Sequence, residues 1–131
     1  MDTALIEQTA QAAAAGAIPF PTVVGNLVTA GVEYYHIDYV RHLQTCYSGS
    51  EEVHVAPLDF NVPGVAEHFD ATALVAAIRD SQLRGQEFPA FSVRAAQAGV
   101  QGYTAFLRGK RVVYQGRQGD QHTEWFSGAG P

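Results

Sequence analysis

Two kinds of hydrophobic periodicity alternate along this chain, and the alternation runs through twice. Residues 3 to 15 set Leu5, Ile6, Ala10 and Ala13 at helical spacing, and 70 to 84 set Ala71, Leu74, Val75 and Ile78 at i, i+3, i+4 and i+7 behind Asp70, a suitable N-cap. Phe20-Pro21 and Phe88-Pro89 each open a further helical stretch, because proline is tolerated in a first turn where its missing N–H is not needed. Val24, Leu27 and Val28 supply the apolar stripe of one, Phe91 and Ala95 that of the other. Both end in Ala-Gly-Val, with Gly31 or Gly99 suited to the left-handed residue beyond a helix C-terminus.

After each glycine the period drops to two. Tyr35, Ile37 and Tyr39 fall on one face of a strand, matched by Tyr103, Ala105 and Leu107, and these sets are the predicted buried side of a sheet. Hairpins follow: one turns near Arg41-His42 before residues 43 to 47, the other at Arg108-Gly109-Lys110-Arg111 before Val112-Val113-Tyr114. Short third strands are predicted at 52 to 56 and 120 to 126, with 57 to 69 joining the halves.

The two halves superimpose as sequence at an offset of 68 residues. Across positions 20 to 35 there are six identities in sixteen, and 9 of 63 aligned positions match overall, including Asp2 with Asp70, His54 with His122 and Pro63 with Pro131. The hairpins also align with a one-residue slip, Tyr47-Ser48-Gly49 on Tyr114-Gln115-Gly116. Helices followed by consecutive antiparallel strands give an α+β fold: an internally duplicated helix-helix-three-strand unit whose helices pack on one face of an antiparallel sheet. The expected organisation is one domain, 1–131, made of repeats at about 1–63 and 69–131.

Composition narrows the function classes. Hydrophobic residues make up 47% and charged residues 16%, and no apolar run is long enough to cross a bilayer. The N-terminus carries no basic residue ahead of an apolar stretch, so it does not read as a secretory signal, and a lone Cys46 cannot form an internal disulfide; a reducing cytoplasm is the simplest compartment. A net charge of −5 argues against nucleic acid or anionic membrane as general partners. The charge is uneven: residues 1 to 67 hold eight acidic side chains against Arg41, whereas 88 to 117 hold Arg94, Arg108, Lys110, Arg111 and Arg117 and no acid. That stretch is either a solvated face complementing the acidic half or a local basic surface.

Over residues 70 to 128 the chain resembles a bacterial family of unknown function whose members are often labelled "phage envelope protein". The likeness lies in Gly99-Val100-Gln101-Gly102-Tyr103, in Gly109-Lys110-Arg111-Val112-Val113-Tyr114 and in Gly119-Asp120-Gln121-His122-Thr123-Glu124. The first half joins it only through the repeat. The resemblance implies a small α+β domain from a bacterial or prophage setting and brings no established activity.

The sharpest chemical constellation is acid-x-His, as Glu52-Val53-His54 and again as Asp120-Gln121-His122. Residues i and i+2 of a strand share a face, which sets each carboxylate beside its imidazole, and Glu124 adds a third acid to the second set. Were a twofold sheet to bring both together, they would form a divalent-metal site or a carboxylate-oriented base; otherwise they are exposed strand histidines beside solvated acids. Tyr34, His36 and Asp38, with His42 close behind, form a second polar cluster on the face opposite Tyr35. If covered it lines a ligand pocket, and if open it consists of ordinary cross-strand pairs. Cys46 has no local activating partner and reads as a small apolar residue, and Trp125 as core or rim packing. Glycine-rich phosphate loops, paired CxxC and GxSxG elbows are absent from the sequence.

The leading expectation is therefore a non-enzymatic domain that binds a protein or a small ligand, without a resident cofactor. The alternative is a metal-dependent enzyme built on Glu52, His54, Asp120 and His122. A third reading is nucleic-acid binding through 94 to 117, with Tyr103, Phe106 and Tyr114 stacking on bases. Strand edges left open by the repeat also offer a homodimer interface.

Overall fold

In the computed structural model, which describes residues 1–130, α1 (Thr3–Ala14) and α2 (Phe20–Thr29) precede β1 (Val32–Asp38), β2 (Leu43–Ser48) and β3 (Val53–Pro57). The order then recurs as α3 (Ala71–Arg84), α4 (Phe88–Gln97), β4 (Val100–Phe106), β5 (Arg111–Gly116) and β6 (Gln121–Trp125). Every element of the second set starts 68 residues after its counterpart, so the offset read from the sequence is also structural. Pro131, matched to Pro63 in that alignment, lies outside the described residues.

Local chemistry explains the correspondence. Asp2 and Asp70 cap α1 and α3, their carboxylates accepting from the Leu5 and Ala73 amides at 3.0 Å each. Asp2 N then donates to Ala30 O at 2.8 Å and Asp70 N to Ala98 O at 2.7 Å, tying the start of each helical pair to its end. Gly31 and Gly99 both sit at φ +89, where a side chain is strained, and this turn redirects each chain from helix into strand.

All strands pair antiparallel in the order β3-β2-β1-β4-β5-β6, so the halves meet along β1 and β4 at the sheet's centre. His36 faces Thr104 across that junction, and the offset carries one onto the other, so the local twofold axis passes between them. The ends of the ladder obey the same symmetry: Tyr39 N donates to Gln101 O at 2.9 Å and Leu107 N to Glu33 O at 3.1 Å. Bulges recur at Val32/Tyr34 and Val100/Gly102, and His42 and Lys110 both take φ 57 in the hairpin turns. Ser48 N to Glu52 O and Gly116 N to Asp120 O close the next turns at matching positions. Ser48 therefore corresponds to Gly116, which removes the one-residue slip.

Tyr35, Ile37, Tyr39 and Cys46 face the helices with Tyr103, Ala105, Leu107, Val112 and Tyr114, and together with Ile6, Leu27, Leu74 and Ile78 they build the core. The other face carries Tyr34, His36, Tyr47, Thr104, Phe106 and Val113, all half-buried, and at its β3 edge Val53 and Val55, opposite Tyr47 and Thr45, are exposed.

The two glycine turns differ in their surroundings. A Cβ on Gly99 would lie 2.4 Å from the His68 carbonyl oxygen, whereas one on Gly31 would meet nothing closer than Met1 Cα at 3.8 Å. Gly31→Ala is expected to cost about 1 to 2 kcal/mol from dihedral strain alone. Gly99→Ala adds a backbone overlap and is expected to cost about 3 kcal/mol or more. Urea unfolding of both variants checks the ranking, and equal losses would contradict it.

Candidate functional site

Between the helices and the sheet lies a cavity of about 750 Å³. Tyr35, Ile37 and Gln44 form its floor on one side of the twofold axis, and Tyr103, Val112, Tyr114 and Glu124 on the other. Its roof takes Thr9, Ala10 and Ala13 from α1, Val23 and Val24 from α2, Ile78 and Ser81 from α3, and Phe88 and Phe91 from α4. The roof positions from α1 are small, Thr9, Ala10 and Ala13, and α3 adds Ser81 beside the larger Ile78. At the rim the Phe20 and Phe126 rings meet edge to face, with centroids 5.6 Å apart.

The floor is aromatic. Tyr103 lies between Tyr35 and Tyr114, at centroid distances of 6.5 and 5.2 Å, and Phe91 extends the cluster at 6.3 Å from Tyr114. Burial drives the Tyr35, Tyr103 and Tyr114 phenols well above their ordinary value, so they remain neutral hydroxyls at any physiological pH. Tyr39, deeper in the core, donates to Ser92 Oγ at 3.0 Å.

Glu124 is the charged residue of the lining among the described residues. Arg79 donates to it at 2.6 Å and His122 Nε2 lies 3.2 Å away. Burial pushes this carboxyl up, but hydrogen bonds from Arg79, His122 and Gln82 outweigh it and hold the group below the ordinary carboxylate value.

The two acid-x-His motifs do not meet. β3 and β6 are the opposite edges of the sheet, about 24 Å apart at five interstrand spacings. His54 and His122 do occupy equivalent positions on the helix-facing side, yet neither pairs with the acid two residues before it. His54 Nε2 lies 2.8 Å from Glu7 of α1, and His122 takes Glu124. Glu52 closes the turn before β3, exposed, and is bound by the N-terminal ammonium at 3.2 Å. Asp120 precedes β6 and is exposed. Among the described residues no group of three or more His, Cys, Asp or Glu side chains is placed to hold a metal ion.

Tyr34, His36 and Asp38 lie on the face away from the helices and act separately. Tyr34 stacks on Tyr47 at 4.7 Å and lines a shallow depression of about 570 Å³ with Phe106, Arg108 and Arg111. His36 Nδ1 is 2.9 Å from Thr104 Oγ1 at the twofold axis, and burial lowers its pKa. Asp38 closes the hairpin, accepting from the Val40 and Arg41 amides at 2.9 Å each. Cys46 is fully buried, which pushes its thiol up to about 11 and keeps it from being a thiolate.

The basic residues of 94 to 117, read as a solvated face or a local basic surface, are also divided. Arg94 pairs with Asp80 at 2.7 Å, Arg108 with Glu33 at 3.3 Å, Arg111 stacks over Trp125 at 4.5 Å, and Arg117 donates to Val65 O. Tyr103 and Tyr114 line the cavity and Phe106 the opposite face, so the three rings form no common stacking platform.

No protein-family model matches the chain, and no curated protein is similar to it.

The Glu124 cluster carries a pH signature. A carboxyl held below its unfolded value contributes stability that is present above that value and is lost as pH falls through the folded one. In acid titrations followed by thermal melting, Glu124→Gln is expected to lose less stability than the wild type in the window below pH 4.5. Parallel curves would remove Glu124 from the acid transition.

Proposed function

We propose that the protein is a non-catalytic binding domain that takes a small, largely apolar ligand into the cavity between its helices and its sheet. The observation that carries this reading is the cavity itself. Its volume of about 750 Å³ lies within the range of small-molecule sites, and its lining is mostly apolar and aromatic with a few polar residues among it. The Tyr35, Tyr103 and Tyr114 hydroxyls, Gln44 and Glu124 are the polar points that would orient a ligand. The rival metal centre finds less support, because its four side chains are divided between opposite sheet edges. Nucleic-acid binding finds little, because its aromatic and basic residues are turned to different faces or already paired.

The buried Cys46 thiol, outside any disulfide, supports our reading of a reducing compartment. A bacterial or prophage setting rests on the resemblance of residues 70 to 128. Pairing of two copies is a second reading, favoured by the exposed Val53 and Val55 on edge strand β3. Sedimentation of Val55→Lys against the wild type tests it, with an unchanged monomeric wild type as the contrary result.

The binding reading is tested with the neutral fluorophore N-phenyl-1-naphthylamine. The wild type is expected to enhance its emission saturably. Ala13→Trp, which fills the cavity from α1, is expected to weaken binding at least tenfold, and Tyr34→Ala, on the opposite face, to leave it unchanged. Binding that survives Ala13→Trp in a folded protein would place the ligand elsewhere.

A further inference from the structure

Resting on that binding reading, we infer that the cavity selects hydrophobic cations over hydrophobic anions of the same size. Among the described residues, Glu124 is the charged member of the lining, and no Lys, Arg or His contributes to it. Its partner Arg79 is half exposed at 48%, against 16% for Glu124, so the pair presents its negative end inward and its positive end toward solvent. The His122 ring, the other group within reach of this carboxylate, is likewise outside the lining.

The floor reinforces that sign. Tyr35, Tyr103, Tyr114 and Phe91 form a connected aromatic surface whose ring faces carry negative quadrupole density, attractive to a desolvated cation and repulsive to an anion. The phenols stay protonated, so they add polarity without adding formal charge. A carboxylate or phosphate head group would enter beside Glu124 with no basic side chain to receive it, and an unpaired charge in such a site is costly. The ligand class is thus an apolar or aromatic body bearing an amine or quaternary ammonium centre.

The test uses tetraphenylphosphonium and tetraphenylborate, near-isosteric ions of opposite charge, in competition with bound N-phenyl-1-naphthylamine. The wild type is expected to bind the phosphonium at least tenfold more tightly than the borate. Glu124→Gln is expected to shrink that ratio at least fivefold, and Arg79→Gln, which frees Glu124, to preserve or raise it. Glu51→Gln, an exposed acid in the β2–β3 turn, controls for net charge and is expected to leave the ratio unchanged. Thermal melting establishes that each variant is folded. A borate bound as tightly as the phosphonium, or a ratio indifferent to Glu124→Gln, overturns the charge selection while the neutral fluorophore still reports a binding cavity. Failure of the neutral fluorophore to bind overturns both.

Discussion

Everything in this molecule is positioned by the antiparallel contact of β1 with β4. Each half alone is a three-stranded sheet under two helices with both strand edges bare, and backbone groups on a bare edge must find partners in water or in another chain. Joining the halves at His36 and Thr104 satisfies both inner edges at once and leaves β3 and β6 as the outer ones. The same contact sets Tyr35 and Tyr39 beside Tyr103, with ring centroids 6.5 and 6.1 Å apart, so the aromatic floor of the cavity exists only in the joined sheet.

The site arises where the two copies have diverged. At equivalent positions the first half has Cys46 and the second Tyr114, the first Ala56 and the second Glu124, the first Gln11 and the second Arg79. Backbone symmetry is retained down to the caps and the turn dihedrals, yet the polar groups of the cavity are concentrated on the β4–β6 side. A symmetric frame needs only its glycines, caps and alternating apolar positions, which leaves the remaining side chains free to specialise.

Those framework residues are what made the fold legible. Asp70, the Phe-Pro pairs, Gly31 and Gly99 act through local backbone geometry, and period-two alternation at Tyr35 and Tyr103 reports which face is buried, so element order, type and duplication could be read directly. The site was less accessible, because a sequence does not say which strands become neighbours. Two acid-x-His motifs look like one site until sheet order assigns them to opposite edges, and Glu7, the real partner of His54, lies 47 residues away on a helix. Tyr114 was readable as a strand residue and as a base-stacking ring, not as a wall of the cavity. The available clue was chemical: several tyrosines on a buried face bring hydroxyls that need polar company, beneath helices rich in alanine.

The shape of that space decides what can enter it. It is partly open, with Phe20 of its lining exposed, so water reaches it from the rim. Arg79 and His122 already hold Glu124, and Gln44 contacts Cys46 Sγ, while the aromatic and aliphatic walls hydrate poorly. On the proposed binding reading, an apolar body gains by returning that water to bulk, and a cationic centre near Glu124 gains by charge attraction rather than by replacing the water's hydrogen bonds.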